Sequence, residues 1–551
     1  MKRPVLVALL SLAGTCVLAQ QPSWQHPPKL VVGIVVDQMR TDYIYRYWDN
    51  FGPGGFKRLA TGGAFLRDAH FDYTPTETGP GHASVYTGTT PARHGVVANE
   101  MVDRTTGSRF YCMVAADTVK GVGLDSVAGR KSPAVLLSTT LADELERRFD
   151  GKSKTIGIAL KDRAAILPIG RTGDAAYWFA SGAEGGFGTS TWYMDELPEW
   201  LQRFNGEGLS NAYLGRTWDL LLPRERYHAP LGDQNDFEMP IPGATIATLP
   251  VDLRAIRSKT GSTNVLAYTP WGNTLTTDFA LAAISSEELG ADAITDLLAV
   301  SYSSTDMLGH KMGLRALEVE DMYLRLDQDL ARLLNELDQR VGANNYLVFL
   351  TADHGAGDVP AYLRSENGSA GFVDAEGLQR RLSVALTKRF GTGAWVRAIA
   401  NDQVFLDEAL ISARKLDLAA VERATADHLL TEPLIAEALT AADLKRTNYT
   451  DGLRRSMQRG FMPQRSGNVL FAHRPGYAEH YTEGVDKGTT HGSGWNYDTH
   501  VPILFYGQGI RPGAVLRRTS ITDIVPTIAM IIGMSPPDAS SGTVVTEALV
   551  R

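Results

Sequence analysis

Asp37, Asp306, His310, Asp353, His354 and His491 each stand beside a short apolar run, and together they offer carboxylate oxygen and imidazole nitrogen. That mixture of donors suits Zn2+ best, with Mn2+ or Co2+ as substitutes. Taken singly, each residue is explained as well by a helix cap or a turn. Their recurrence beside four runs is what points to a metal cluster. Asp353-His354-Gly355 follows its run directly, and the glycine frees the backbone so that both side chains can reach one cleft. Asp306 and His310, four residues apart, share one face of a turn, a usual ligand spacing.

A candidate nucleophile lies in the stretch 74–88. Its Pro and Gly residues argue for a loop through position 81, followed by one or two helical turns from His82 that Gly88 stops. A hydroxyl just ahead of a helix N-terminus sits where backbone N–H groups and the helix dipole favour an anion. Thr78 is therefore placed to become an alkoxide and attack a phosphate. Alone it would be an ordinary capping residue.

These residues need a scaffold, and the chain supplies one. Residues 29–36, 294–302, 345–350 and 500–506 are continuous apolar runs rich in β-branched residues, as in strands buried on both faces. Between them lie helical patterns, such as 277–284 and 321–337, with apolar residues recurring at three and four. The alternation predicts an α/β fold: a doubly wound, mostly parallel sheet flanked by helices, with inserted cap regions. Ligands of such sheets gather beyond the carboxyl ends of the strands, where most of the Asp and His residues fall. The expected organisation is a signal peptide at 1–19, core segments at 28–181, 264–360 and 481–551, and insertions at 182–263 and 361–480. The insertions break the alternation and read as lids or substrate walls.

The 551 residues carry a formal charge of −8. The first 19 combine a basic start, an apolar run and a small residue at a plausible cut, which predicts a secreted or periplasmic protein. Cleavage would remove Lys2 and Arg3, taking the charge from −8 to −10, and would leave Cys112 as the only cysteine. No intrachain disulfide is then possible, so stability must come from the core or from metal. The acidic balance argues against a nucleic acid partner. No other stretch is apolar enough for stable membrane insertion, and a monomer is expected.

Asp37, Thr78-Gly-Pro-Gly-His82, Asp306-x-x-x-His310, Asp353-His354-Gly and His491-Gly occur in the order that resembles the alkaline phosphatase superfamily. Within it, His94-Gly-Val-Val-Ala-Asn99-Glu and Ala159-Leu-Lys161-Asp-Arg163 are similar to the phosphate-irrepressible alkaline phosphatases with a threonine nucleophile. The resemblance implies two Zn2+ per subunit, one on Asp306, His310 and His491, the other on Asp37, Asp353 and His354 with Thr78. It implies Thr78 as the nucleophile that forms a phosphothreonine, and Asn99, Lys161 and Arg163 on the phosphoryl oxygens. Charge counting agrees. Two Zn2+ with three carboxylates leave +1, and Lys161 with Arg163 raise this to +3, against −3 for a monoester dianion plus alkoxide and −2 for a diester. Small phosphate monoesters are therefore the expected substrates. A phosphodiesterase or nucleotide pyrophosphatase of the same superfamily is the alternative. A non-catalytic phosphate- or metal-binding protein is the remote one.

Overall fold

The computed structural model describes residues 26–479 and 485–550, so the signal peptide expected at 1–19 lies outside the described residues. Eight strands build most of the main sheet: β1 (Leu30–Val36), β2 (Ala64–His70), β3 (Thr155–Ala159), β4 (Ala175–Ala180), β5 (Gly186–Ser190), β6 (Asp296–Tyr302), β7 (Tyr346–Thr351) and β8 (His500–Gly507). Their order is β2-β8-β7-β1-β6-β3-β4-β5. Gly513–Val515 and Thr519–Ser520 beside β2, and Gly121–Val122 beside β5, complete an 11-stranded sheet.

The middle of the sheet is parallel, β7 to β1 to β6 to β3 to β4. β1, β6 and β7 are buried along their whole length, which is why their sequences are unbroken runs rather than alternating ones. β8 runs antiparallel to both of its neighbours, β7 and β2. Its beginning therefore lies at the edge where β1, β6 and β7 end. A histidine that precedes β8 in sequence thus reaches the same edge as aspartates that follow the parallel strands.

Four helices concern that edge: α1 (Thr78–Thr87), α2 (Asp162–Ile169), α3 (Ser304–Met312) and α4 (Leu317–Arg340). The sequence pattern starts a helix at His82, but α1 starts four residues earlier, with Glu77 as its N-cap. Pro80 is tolerated there because the first turn of a helix has no N–H partner to lose. Gly81 is required: a Cβ on it would lie 2.3 Å from the carbonyl oxygen of Asp353. Only a glycine lets α1 begin this close to the exit of β7.

The two stretches outside the alternation differ in construction. Trp200, Phe204 and Trp218 of 182–263 belong to the same buried cluster as the sheet, and Phe187 stacks on Phe279 at 4.1 Å. In 361–480, Val396–Ala400, Gln403–Leu406, Val469–His473 and Ile435–Thr440 form a separate four-stranded antiparallel sheet. It has its own core, including Leu382, Trp395, Val404, Val421 and Phe471. This lobe touches the start of the nucleophile stretch, where Thr74 N donates to Ser456 O at 3.2 Å.

Candidate active site

β1, β6 and β7 are neighbours, and each delivers an aspartate just past its end: Asp37 directly after β1, Asp353 two residues after β7, Asp306 on the first turn of α3 after β6. All three are buried. β3 ends at Ala159, so Lys161 emerges beside them as the N-cap of α2. Its ammonium bridges the carboxylates at 2.6 Å to Asp37 Oδ2 and 2.6 Å to Asp306 Oδ2. Burial and the like charges of Asp306 and Asp353 push Asp37 above the usual carboxylate range. Asp306 is buried too, yet His310 and Lys161 together outweigh that and hold it well below. The same lysine meets both, and the difference lies in what else each carboxylate faces.

The histidines are oriented by the backbone. His354 Nδ1 faces Gly355 O at 3.0 Å, His310 Nδ1 faces Thr489 O at 2.9 Å, and His491 Nδ1 faces Thr76 O at 2.7 Å. A carbonyl only accepts, so each Nδ1 carries a proton and each ring turns Nε2 inward. Burial lowers the pKa of His354 and His491, which keeps those rings neutral. His354 and His491 stack with centroids 3.5 Å apart.

Two groups of three result. In one, His310 Nε2 and His491 Nε2 lie 3.2 and 3.6 Å from Asp306 Oδ1. In the other, His354 Nε2 lies 3.6 Å from Asp37 Oδ1 and 3.5 Å from Asp353 Oδ2. Within each group the ligand atoms fall within 4.8 Å of one another. Asp37 Oδ1, Asp353 Oδ2 and His354 Nε2 are all buried without a hydrogen-bond partner. Three lone-pair atoms facing one another form a donor set that a cation satisfies and a hydrogen bond cannot, so the residues present fit a divalent metal. Asp68, His70 and His500 form a third group of this size. There, however, His70 Nε2 is engaged by Asp68 at 2.7 Å and His500 Nε2 by Arg67 O at 2.9 Å.

Thr78 is the first residue of α1, and its Oγ1 lies 3.5 Å from Lys161 Nζ and 3.4 Å from Arg163 Nη2. Both cations favour negative charge on that oxygen, as does the helix N-terminus. Asn99 accepts from Gly79 N through Oδ1 at 2.7 Å, which directs its amide Nδ2 away from that contact. A cleft of about 600 Å3 opens beside Asn99, His310 and His491. Asn401, Asp402, His473 and Tyr477 of the 361–480 lobe close its far side.

All ten residues singled out in the sequence therefore meet at one edge of the sheet. Four of their neighbours were not foreseen in a role. Gln38 donates to Asp306 Oδ1 at 2.9 Å and, through its N–H, to Asp353 Oδ1 at 3.2 Å. Glu77 accepts from Asn99 N at 2.6 Å, and burial raises its pKa to about 7. Tyr111 donates to Asp162 and accepts from Arg163 Nη1 at 3.1 Å, fixing the guanidinium. His82 lies against Thr78 O at 2.9 Å and Ser301 Oγ at 2.9 Å. Gln38 and Glu77 are readable as sequence neighbours of Asp37 and Thr78. Tyr111 leaves no such signal, since it sits 51 residues from its partner Asp162.

The protein-family model described as type I phosphodiesterase / nucleotide pyrophosphatase matches residues 31–494. The chain is 39% identical over 550 residues to a protein of Myroides odoratus described as a calcium-transporting ATPase, spanning 100% of this chain and 99% of that one. It is 38% identical over 537 residues to alkaline phosphatase PafA of Elizabethkingia meningoseptica, spanning 97% and 96%. A crystal structure of wild-type alkaline phosphatase PafA superposes with a TM-score of 0.90 at 37% identity, covering 95% of this chain and 99% of that chain.

Proposed function

The chain belongs to the type I phosphodiesterase / nucleotide pyrophosphatase family within the alkaline phosphatase superfamily, and we infer that it is an alkaline phosphatase acting on phosphate monoesters. The observation that carries this reading is the placement of Thr78 Oγ1 between Lys161 and Arg163, against two groups fit for divalent metal. Asp306, His310 and His491 would hold one Zn2+, and Asp37, Asp353 and His354 would hold the other together with Thr78. When bound, the two ions supply Lewis acidity at the nucleophile and at the leaving oxygen.

The chain's own residues do the rest. Thr78 Oγ1, deprotonated, attacks phosphorus in line, and the bond to the ester oxygen breaks with its electron pair leaving on that oxygen. The leaving alcohol takes a proton from solvent. Asn99 Nδ2, Lys161 and Arg163 hold the non-bridging oxygens as their charge shifts, so catalysis is mainly positioning and charge stabilisation. Arg163 forks across two oxygens, whereas Lys161 acts as a point charge. Tyr111 and Asp162 hold Arg163 in place. Water then attacks the phosphothreonine and releases phosphate, and the Thr78 oxygen is restored. The basic start and apolar run of residues 1–19 support a secreted or periplasmic location, and the site suits small phosphate monoesters. Among the described residues no helix is long and apolar enough to cross a membrane.

A diesterase of the same family would use the same metal groups and a threonine, so those groups do not separate the two activities. Lys161 and Arg163 do, because they match a dianionic phosphoryl group. The terminal phosphate of a nucleotide is also dianionic, so ATP cleavage by the Myroides relative falls in the same chemical class. The deciding measurement is kcat/KM of zinc-loaded protein at alkaline pH for a chromogenic phosphate monoester and its matching diester. A large monoester preference is expected. A diester preference would overturn the reading of Lys161 and Arg163.

A further inference from the structure

The start of α4 carries three carboxylates with very different fates: Glu318 and Glu320 in the first turn and Asp321 just beyond it. Asp321 accepts from Trp218 Nε1 at 2.8 Å, Leu221 N at 2.7 Å and Tyr227 OH at 2.5 Å. Glu320 accepts from the N–H groups of His228 and Ala229, at 2.8 and 2.6 Å, which lays the following chain segment against this turn. Glu318 is fully buried, yet neither of its oxygens has a hydrogen-bond partner.

The same is true of one residue on that segment. Glu238 is 2% exposed, and both of its oxygens are buried without a partner. Its flanks are fixed: Phe237 O accepts from Gly488 N at 2.9 Å, and Met239 N donates to Lys311 O at 2.9 Å. Four carboxylate oxygens thus lie buried without a partner, two at the start of α4 and two on a segment bonded to Glu320 and to Lys311 of α3. Among the described residues, no basic side chain comes within 4.0 Å of either glutamate to form a salt bridge. Burial drives the pKa of both upward. The Glu238 charge adds to the rise at Glu318, and Asp233 adds to it at both, while the Asn235 amide and the more distant Lys487 oppose it at Glu238 without reversing it.

Leaving ionised carboxylates buried and unpaired costs several kcal/mol each. Protons relieve the charge but still leave acceptor oxygens unsatisfied. A dication relieves both at once. We propose that Glu238 and Glu318 form the core of a binding site for a hard divalent cation of the calcium type, separate from the catalytic groups. All of the donors are oxygen, which favours calcium over zinc, and two carboxylates neutralise the ion. Asp233 adds negative charge nearby. The site ties the segment 237–239 to the first turn of α4. Through Lys311 and Gly488, that segment braces the chain next to His310 and three residues before His491. The role is structural, and the proposal does not depend on the phosphatase reading.

The test is calcium content. Full-length mature protein is dialysed against buffer with fixed free zinc and graded CaCl2, and both metals are measured per chain. One saturable Ca2+ is expected in the wild type, with a rise in melting temperature as calcium is added. The double variant Glu238→Gln/Glu318→Gln should lose both effects while keeping the zinc content of the wild type. Glu318→Asp, which shortens one arm, should weaken calcium binding at least about tenfold and serves if the double variant does not fold. A wild type with no saturable Ca2+ and no calcium-dependent melting shift overturns the proposal and leaves the pair as a protonated one. Equal binding by the wild type and the double variant also overturns it.

Discussion

The carboxyl edge of the main sheet and the 361–480 lobe face each other across one cleft, and they are built on opposite terms. The edge is dense in charge and buried. Asp37, Thr78, Asp306, Asp353 and His354 are all buried, and backbone carbonyls fix the rings. The lobe has its own small sheet and core, and presents to the cleft only the tips of residues such as Asn401, Asp402, His473 and Tyr477. Chemistry that needs charges held within tenths of an ångström belongs on the rigid edge. We expect recognition of whatever is attached to the phosphate to fall to the lobe, a surface that can vary without disturbing the core.

Breaking the edge should therefore cost far more than altering the lobe. Thr78→Ala is expected to lower kcat by roughly 10^3-fold or more while the metal content of the purified protein stays unchanged. Turnover like that of the wild type would remove Thr78 as nucleophile. Lys161→Ala or Arg163→Ala should lower kcat/KM for a monoester by about 10^2–10^3-fold, and for the matching diester by clearly less. Equal losses on both substrates would show that the pair does not read the extra phosphoryl charge. On the lobe, Tyr477→Ala should change KM for bulky monoesters within about tenfold and leave kcat nearly as it was. A collapse of kcat would mean that the lobe shares in the chemistry.

The smallest effect tests the lobe's own electrostatics. Burial alone would lower His473, but Asp402 at 3.1 Å outweighs it and raises the histidine above its usual value. A group raised on folding contributes stability that is fully present below the unfolded pKa of about 6.5 and is lost as pH rises through the folded value. His473→Gln should thus lower the melting temperature more at pH 6 than at pH 9.5. An equal drop at both pH values would show that packing, not charge, sets the role of this histidine.

The distinction between edge and lobe also tracks what could be read in advance. The Asp and His residues were legible because they sit beside buried parallel strands, whose unbroken apolar runs stand out in any sequence. α1 was misplaced by four residues because Thr78-Gly-Pro-Gly reads locally as a loop. In the structure, the proline falls in the first turn and Gly81 fits under Asp353. Tyr111 was invisible because its link to Arg163 depends on how the antiparallel pair Glu100–Val102 and Arg109–Tyr111 folds back.

By itself the sequence determined the fold class, the candidate ligand residues and their order, because strand burial and residue type are local properties of the chain. It did not determine why His491, ahead of a strand, joins aspartates that follow theirs. The antiparallel direction of β8 decided that, and strand direction is a property of pairing partners far apart in the chain. Nor did it single out Glu238 and Glu318 among 62 acidic residues. Whether a carboxylate is satisfied or orphaned depends on which donors packing brings to it, and only the tertiary structure sets those distances.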